Sequence, residues 1–377
     1  MYSGGTHANL PKRKTEACTA PGMDEELRLC EEFVQITDSD NTVARCHLAE
    51  NEWEMEKALN SFFEANMEEV FGIEDLPDKD NVGPAVKKKR KTSAPTSPGG
   101  CIDLTTDEPA CSSAGKTPVQ NPPEDEKKLS LISWNVDGLD TDNLGERARG
   151  LCSYIVLYSP DVVFLQELIP PYVLYLKKRA VSYTLIEGGE EGYFTGMMLK
   201  KSRVKLLGTQ IVPYTTTKMM RNLLIAQVTF QGQELSLMTS HLESCKDQSA
   251  ERIKQLRLIT QKIKEAPDNV TVLFGGDTNL RDAEVAKVGL PSGVMDVWEK
   301  LGRQEHCRYT WDTKANSNKR LPYVCRCRFD RVYVRPAIRE GVACLLPNHM
   351  ALLGLEKLDC GRYTSDHWGV YCSFSAG

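Results

Sequence analysis

The chain has 377 residues, of which 41% are hydrophobic and 26% are charged, and its formal net charge is −5. This length suits one large domain with a smaller one, and no apolar run approaches the ~20 residues that a membrane span needs. The first residues hold no apolar signal-peptide core. The 13 cysteines follow neither a disulfide framework nor a CxxC zinc pattern. These features argue against a membrane-spanning or secreted protein and favour a reduced intracellular compartment.

The net charge hides a division between the two parts of the chain. Residues 1–126 contain 13 Lys+Arg against 25 Asp+Glu, whereas residues 127–377 contain 34 against 27, which gives net charges of −12 and +7. An acidic arm on a basic body indicates that the body binds a polyanion. An ordinary surface with a modest positive charge is the alternative, and charge alone does not separate the two.

The N-terminal part predicts a polar tail followed by a small helical module. Residues 1–22 show no apolar periodicity and predict a flexible tail. Residues 23–65 predict three short helices, the third of which begins at Asn51 with Glu54 in a capping box. The apolar positions of the module are Leu27, Leu29, Phe33, Ile36, Val43, Ala44, Leu48, Trp53, Ala58, Leu59, Phe62 and Phe63. This pattern resembles the ubiquitin-associated (UBA-like) family, which implies ubiquitin binding through an exposed apolar patch. A bundle that only packs on its own core is the alternative.

Residues 66–126 predict a disordered linker, because they are rich in Pro, Asp, Ser and Thr and poor in aromatic residues. The basic cluster Lys87–Lys91 is interpreted as a nuclear localisation signal, with a solvated charge run as the alternative. The segment Ile102–Glu108 alternates apolar and acidic residues and resembles a SUMO-interacting motif, which would add a strand to a partner's sheet. The sequence therefore places the protein in the nucleus, with a cytoplasmic pool as a further expectation.

From residue 127 to residue 377 the sequence predicts a two-sheet α/β sandwich, because strands are many, helices few and connections long. Strands are predicted at 129–134, 162–167, 183–187, 193–199, 204–212, 223–230, 234–240, 270–274, 308–312, 328–334 and 369–374. Helices are predicted at 146–158 and from Ile253 to Ile263. The strand beginning at Val270 ends in Gly275 and Gly276, which are expected to turn the chain sharply.

Four polar residues stand directly after apolar strands: Asn135, Glu167, Asp277 and His367. Each alone has a structural interpretation as a turn residue, an ion-paired strand end or a satisfied histidine. Together, and in order, they resemble the exonuclease–endonuclease–phosphatase superfamily, which has the DNase I-like fold. The motifs that carry this resemblance are Trp134-Asn135, Gln166-Glu167, Gly276-Asp277-Thr278-Asn279, Phe329-Asp330 and Ser365-Asp366-His367.

Longer motifs narrow the resemblance to the 5′-tyrosyl-DNA phosphodiesterases of that superfamily. They are Trp134–Asp140, Gly276–Asp282, Tyr309–Asp312 and His241–Ser244. The resemblance implies hydrolysis of the 5′-phosphotyrosyl bond between an abortive topoisomerase 2 and DNA, which leaves a 5′-phosphate. An abasic-site endonuclease or a phosphatase of the same fold is one alternative, and a ubiquitin- and SUMO-binding signalling adaptor is another.

The resemblance also implies roles for the residues around the reacting phosphate. Glu167 is expected to bind Mg²⁺, with Mn²⁺ as an alternative ion, while Asn135 and Asp366 assist as ligands or outer partners. Asp277 would position and deprotonate the attacking water. Asn279 would orient that water or hold a phosphate oxygen. His367 would donate to a phosphoryl oxygen, and Asp330 would fix its tautomer.

Substrate contacts are expected from residues farther from the reacting phosphate. His241 and Ser244 would contact phosphate, and Arg281 and Trp311 would border the DNA groove. Tyr193 is a further candidate for the wall of the site. The loop from Asn316 to Val324 receives no role. The number of metal ions is left open by the sequence.

Overall fold

The computed structural model describes residues 23–37, 41–65, 128–339 and 341–376. The chain divides into two compact units, Met1–Ser61 and Phe62–Gly377. The predicted tail, linker, basic cluster Lys87–Lys91 and SUMO-type motif Ile102–Glu108 all lie outside the described residues. No helix in the described ranges is long and apolar enough to cross a membrane.

The chain up to Ala65 contains the three predicted helices, and the last of them extends past the unit boundary at Ser61. They are α1 (Met23–Thr37), α2 (Asn41–Glu50) and α3 (Met55–Ala65). Apolar side chains from all three are buried, including Phe33, Leu48 and Leu59. Burial of these side chains is the main force that holds so short a bundle together.

The predicted start of the third helix is wrong. Glu52 and Trp53 have φ values of 58° and 62° and form a left-handed turn, so the helix begins only at Met55. The side chain of Asn51 donates to the carbonyl of His47 at 2.8 Å, so it closes the preceding helix. A short polar side chain bonded to nearby backbone serves a turn as readily as a cap.

The larger unit is a sandwich of two six-stranded sheets, as predicted. The first sheet has the order β13-β14-β1-β2-β4-β3 and the second β5-β6-β7-β8-β12-β9, while β10 and β11 form a small ribbon. The strands are β1 Leu129–Asn135, β2 Val162–Leu168, β3 Tyr183–Glu187, β4 Phe194–Lys200, β5 Val204–Pro213, β6 Asn222–Phe230, β7 Gln233–Ser240, β8 Thr271–Asp277, β9 Met295–Asp296, β10 Trp311–Asp312, β11 Arg326–Cys327, β12 Asp330–Arg335, β13 Leu345–Leu353 and β14 Gly369–Ala376. The helices are α4 Leu144–Tyr158, α5 Pro170–Arg179, α6 Ser249–Glu265, α7 Asp282–Val288 and α8 Val297–Lys300, with a 3₁₀ turn at Glu305–Cys307.

Several elements of this unit differ from the sequence prediction, which also lacked the short elements β9, β11, α7 and α8. The prediction omitted β13, whose centre contains Pro347 and Asn348 and whose pairing with β14 is interrupted at that point. It also omitted α5, which starts with Pro170 at a position where the missing N–H costs nothing. The strand predicted at 308–312 shrinks to two residues after a 3₁₀ turn.

The core lies between the two sheets. Buried side chains from both inner faces, such as Phe164, Leu224 and Leu273, form one apolar cluster. A second cluster lies where α6 covers the outer face of the second sheet, through Leu256 and Ile259. Packing on both faces makes that sheet a rigid support for its strand ends.

Gly275 and Gly276 do not turn the chain, contrary to the sequence expectation. Both lie within β8, and neither has a positive φ. Glycine is needed at both positions because the neighbouring atoms leave no room for a Cβ. A Cβ at Gly276 would lie 2.0 Å from the Ser240 carbonyl oxygen, and one at Gly275 would lie 2.8 Å from the Phe164 ring. The glycines therefore let β8 approach β7 and the facing sheet closely.

Gly276→Ala is expected to destabilise the protein by more than about 2 kcal/mol, because the clash is with backbone that cannot rotate away. Urea unfolding of the two proteins measures this difference. Gly208→Ala is the control, since a Cβ there meets nothing within 4 Å. Equal stability of the Gly276→Ala variant and the parent protein would contradict the packing argument.

Candidate active site

Four strands bring their polar residues to one edge of the sandwich. In the first sheet β1 and β2 are parallel, with Asn135 paired to Gln166. In the second sheet β7 and β8 are parallel, with Thr239 paired to Gly275. Because parallel strands end at the same edge of a sheet, the residues that follow them converge. The family resemblance implied that Asn135, Glu167 and Asp277 would lie in one site, and the strand ends bring them together.

Asp277 is the centre of the cluster. Its Oδ2 accepts from Asn135 Nδ2 at 3.1 Å and lies 3.2 Å from His241 Nε2 and 3.6 Å from His367 Nε2. The carboxylate is almost completely buried. Burial would raise the pKa of Asp277, but the two histidines and Asn135 outweigh that effect and hold it well below its usual range. Asp277 is therefore an anion at neutral pH that several donors hold in a single orientation.

Glu167 reaches the cluster through an irregularity in β2. The pairing of β2 with β4 shifts between Leu165 and Leu168, and Glu167 has a φ of 59°. Its Oε1 accepts from Asn135 Nδ2 at 3.0 Å. Gly138 lies against this bulge, because a Cβ there would come within 2.1 Å of the Glu167 carbonyl oxygen. A non-glycine residue held in this backbone region at a polar site is a sign of functional strain.

Asn135 presents its amide nitrogen to both carboxylates. Its Oδ1 accepts from the Asp137 N–H at 2.9 Å, which fixes the orientation of the amide. The side chain therefore aligns Glu167 and Asp277, while its oxygen faces away from them.

His241 connects Asp277 to an arginine that the sequence analysis did not identify. Arg221 NH1 lies 2.7 Å from His241 Nδ1. An arginine only donates, so Nδ1 must accept and Nε2 carries the proton that points at Asp277. His241 is thus fixed as the Nε2–H tautomer.

Arg221 also reaches two other predicted site residues. Its NH2 donates to the Ser244 hydroxyl at 3.2 Å, and its guanidinium lies 4.7 Å from the centre of the Tyr193 ring. Arg221 is buried, and its Nε has no hydrogen-bond acceptor among the residues that the structure describes. The sequence signal for it was weak, since a single arginine before an apolar strand is usually a surface residue.

His367 and Asp330 form the predicted pair. The two side chains are 2.9 Å apart through His367 Nδ1. Burial alone would lower the pKa of His367, but Asp330, Asp277 and Asp366 raise it well above 6.5. His367 is therefore a cation at neutral pH, with its Nε2–H directed to the centre of the site.

The loop before His367 is tied to the end of β1. The Ser365 hydroxyl donates to the Asn135 carbonyl at 2.6 Å and accepts from the His367 N–H at 3.1 Å. The Trp134 indole donates to the His367 carbonyl at 3.0 Å. These bonds hold Ser365 against Asn135, although the two residues are 230 positions apart in the sequence.

Asn279 lies between Asp277 and Ser244. Its backbone has a φ of 50°, and its N–H donates to Asp277 Oδ1 at 3.0 Å. Its side-chain amide lies 3.4 Å from the Ser244 hydroxyl. Asn279, Ser244 and Arg221 thus form one group of donors beside Asp277.

Trp311, Asp366 and Arg281 lie farther out. The Trp311 indole donates to Asp366 Oδ2 at 3.1 Å, and its ring centre lies 6.3 Å from that of His367. Arg281 is exposed, with its guanidinium 5.5 Å from the centre of the Phe329 ring. This placement is compatible with the DNA-groove role expected for Trp311 and Arg281.

The loop from Asn316 to Val324, which received no role in the sequence analysis, makes ion pairs and hydrogen bonds to residues next to the site. Lys319 Nζ lies 3.2 Å from Asp137 Oδ1 and 3.3 Å from Asp140 Oδ2. The Asn316 amide donates to the Ser365 carbonyl at 2.8 Å. Burial, and then the charge of Asp366, raise the pKa of Asp137 well above its usual range.

The contribution of Asp140 to the stability of the folded state is expected to depend on pH. Burial alone would raise its pKa, but Arg362, Lys319 and Arg147 lower it to about 2. A depressed pKa stabilises the folded state above the unfolded pKa of about 3.9 and loses that effect as pH falls toward 2.

Asp140→Asn is therefore expected to cost about 2 kcal/mol at pH 7 and roughly half of that at pH 3. Urea unfolding of both proteins at the two pH values measures the difference. Asp359→Asn serves as the control, because Asp359 is exposed. A cost for Asp140→Asn that is the same at both pH values would contradict the ion-pair account.

Metal-ligating groups are present at the centre of the site. Donor atoms of Asp277, Asp330 and His367 lie within 4.8 Å of one another. His367 and Asp330 are already paired, however, and His367 is a cation. Glu167 is more accessible, with 16% of its side chain exposed. Carboxylate oxygens are the ligands that Mg²⁺ prefers, so the donor set fits that ion.

Comparison with known families matches both units. Residues 28–69 match the UBA-like domain. Residues 132–367 match the endonuclease/exonuclease/phosphatase family, in agreement with the fold and the order of the site motifs. Tyrosyl-DNA phosphodiesterase 2 of Danio rerio is 61% identical over 367 residues, which cover 93% of this chain and 98% of the relative. The chain belongs to the tyrosyl-DNA phosphodiesterase 2 family.

Other members of the tyrosyl-DNA phosphodiesterase 2 family agree with this assignment. The Homo sapiens protein is 51% identical, over 94% of this chain and 93% of its own length. A crystal structure of the D. rerio enzyme complexed with single-strand DNA product is 72% identical, with a TM-score of 0.65 over 66% of this chain and 99% of that one. Family membership makes the chain a phosphodiesterase hydrolase, as the sequence resemblance predicted.

Proposed function

We propose that this protein hydrolyses the 5′-phosphotyrosyl bond that an abortive topoisomerase 2 leaves on DNA, and releases a 5′-phosphate end for double-strand-break repair. The observation that carries the proposal is the arrangement around Asp277. An ionised carboxylate is fixed by Asn135 and His241 and faces the cationic His367. This arrangement suits a water attacking a phosphorus atom between an anionic base and positive donors.

Asp277 orients the attacking water and accepts its proton. Since its pKa is held low, it is unprotonated across the physiological range. A carboxylate of low pKa is a weak base, so its first contribution is the placement of water in line with the leaving oxygen. The N–H of Asn279, which donates to the other carboxylate oxygen, holds the orientation of Asp277 during this step.

His367 stabilises the phosphoryl oxygens as negative charge builds on them. Its position opposite Asp277 and its raised pKa keep an N–H donor with a positive charge aimed at the site. Arg221, Ser244 and Asn279 supply further donors on the other side. We infer that these donors bind the non-bridging oxygens of the same phosphate.

Mg²⁺, or Mn²⁺ in its place, would be held by Glu167, whose carboxylate is aligned by Asn135. When bound, the ion supplies Lewis-acid stabilisation of the phosphate and of the departing oxygen. Asp366 would act as an outer partner, since its Oδ2 is engaged by Trp311.

The leaving group of this reaction is a tyrosine side chain. A phenol has a pKa of about 10, far below that of a sugar hydroxyl, so the phenolate leaves without a dedicated acid. The Tyr193 ring and Arg221 lie together beside the donors, where an aromatic leaving group would find an apolar wall and a cation. Trp311 and Arg281 would contact the DNA strand at the opposite side.

The N-terminal unit is proposed to bind ubiquitin. Leu27 on α1 is 61% exposed, which provides an apolar contact of the kind such a surface needs. The basic cluster Lys87–Lys91 supports a nuclear location, with an additional cytoplasmic pool, and Ile102–Glu108 supports SUMO binding.

A comparison of two substrates tests the proposal. One oligonucleotide carries a 5′-phosphotyrosine, and the other is a duplex with an abasic site, both with Mg²⁺. We expect release of tyrosine and a 5′-phosphate product from the first, and a loss of more than about 100-fold with EDTA. Cleavage of the abasic duplex alone would move the chain to another function of the fold. Activity on neither substrate, with ubiquitin binding retained, would favour the adaptor.

A further inference from the structure

A second pocket lies at the end of the first sheet opposite the active site. It is a groove of ≈ 610 Å³ beside the start of β1 and the end of β4. Its wall includes Lys128, Lys200, Arg203, His349 and Tyr371. Because Lys128 precedes β1 and Asn135 ends it, roughly 20 Å separates the two sites along the strand. We call this groove the basal pocket.

Among the described residues that line the basal pocket, Asp161 is the one carboxylate, and it is already neutralised. Asp161 Oδ1 accepts from Arg203 Nε at 2.7 Å, and its Oδ2 accepts from the Ser130 N–H at 2.8 Å and the Ser130 hydroxyl at 2.9 Å. Asp161 is buried. Its negative charge is therefore neutralised by Arg203, and Lys200 adds a positive charge to the wall of the groove.

Lys200 is the cation that faces the groove without a carboxylate partner among the described residues. Its ammonium donates to the Ser159 hydroxyl at 2.8 Å and lies 3.5 Å from the Ser159 carbonyl. Ser159 has a φ of 43° at the end of α4, and the chain there is held by an N–H to the Ile155 carbonyl. Lys200 is thus oriented by neutral groups, which leaves its charge available to an anion.

Aromatic rings border these cations. The centre of the Tyr371 ring lies 6.1 Å from that of His349 and 5.1 Å from that of Tyr158. His349 is exposed, and Tyr158 is 38% exposed. Cations beside exposed aromatic rings form the arrangement that binds single-stranded nucleic acid, through phosphate contacts and base stacking.

We propose that the basal pocket is a second binding site for single-stranded nucleic acid, with a phosphate at Lys200 and an adjacent base stacked on the exposed ring of His349. The site lies outside the catalytic cluster and requires no hydrolysis. It gives the protein a hold on a strand that is independent of the reacting 5′ end. An acidic protein segment is the competing occupant, because Glu124, Asp125 and Glu126 directly precede the pocket in the sequence.

Lysine footprinting on the full-length protein tests the proposal. A fluorescein-labelled 12-nucleotide dT strand without a tyrosyl end is added in EDTA, and acetylation of each lysine is followed by mass spectrometry. We expect the strand to protect Lys200 while the exposed Lys264 stays labelled. Undiminished labelling of Lys200 at saturating oligonucleotide would overturn the proposal. Because the probe is not hydrolysed, this result is independent of the proposed tyrosyl-DNA activity.

Charge reversal supplies the second measurement. Lys200→Glu should weaken dT binding and reduce the salt dependence of log K by about 0.7 for the lost phosphate contact, while the control Lys264→Glu leaves both unchanged. Identical binding of the two variants would contradict the site. If Lys200 is protected without oligonucleotide, and becomes labelled after Glu124→Gln, Asp125→Asn and Glu126→Gln are combined, the acidic segment fills the pocket and the nucleic-acid proposal fails.

Discussion

Asp277→Asn is expected to lower kcat on a 5′-phosphotyrosyl oligonucleotide by about 10³-fold while the fold is retained. The amide has the same shape as the carboxylate, but it removes the anion that His241 and His367 surround. It also cannot accept a proton from the attacking water. Steady-state kinetics with Mg²⁺ in excess measure the loss.

Asp359→Asn is the matched control, because it changes one exposed carboxylate by the same chemistry. Circular dichroism and urea unfolding of both variants establish that the fold is intact. If Asp277→Asn keeps more than about a tenth of the parent kcat, the anion is not the water-positioning group, and the proposed mechanism is wrong.

His367→Ala is expected to cost about 10² to 10⁴-fold in kcat, because the positive donor opposite Asp277 is lost. The pH profile carries more information than this loss. The pKa of His367 lies well above 6.5, so its cation persists through neutral pH and disappears as pH rises through that pKa. Loss of the His367 cation should therefore appear as a fall in kcat on the alkaline side of the profile.

Asp330→Asn separates an electrostatic role from a structural one. Asp330 is the nearest carboxylate to His367, at 2.9 Å, and it raises the pKa of that residue. Its replacement should move the alkaline limb of the kcat profile to lower pH. If kcat is lower but its alkaline fall occurs at the same pH, the role of Asp330 is structural and not electrostatic.

The fold was readable from the sequence because apolar runs and polar strand ends alternate regularly. Asn135, Glu167 and Asp277 stand out in the sequence because each directly follows an apolar strand. Placing them in one site with Asp330 and His367 required the order of the family motifs, because no local pattern says that a residue near the end of the chain returns to β1. The hydrogen bond from the Ser365 hydroxyl to the Asn135 carbonyl holds this late segment of the chain at the end of β1.

Other features could not be predicted because they depend on which distant parts of the chain come close together in the folded structure. Arg221 is an ordinary residue in the sequence, and its contact with His241 arises only because β6 starts beside that residue. Gly275 and Gly276 suggest a turn locally, yet their role is to admit the Phe164 ring and the Ser240 carbonyl. Trp53 likewise fits an apolar helix pattern, and its positive φ follows from the turn that packs α3 on α2.

Hydrolysis in ¹⁸O-labelled water tests the central claim most directly. If water held by Asp277 attacks phosphorus, one labelled oxygen enters the 5′-phosphate of the DNA product, and the released tyrosine carries none. Mass spectrometry of both products after a single turnover reads the outcome. Label in the tyrosine, or a DNA product with a 5′-hydroxyl, would mean that another bond is broken and would contradict the account.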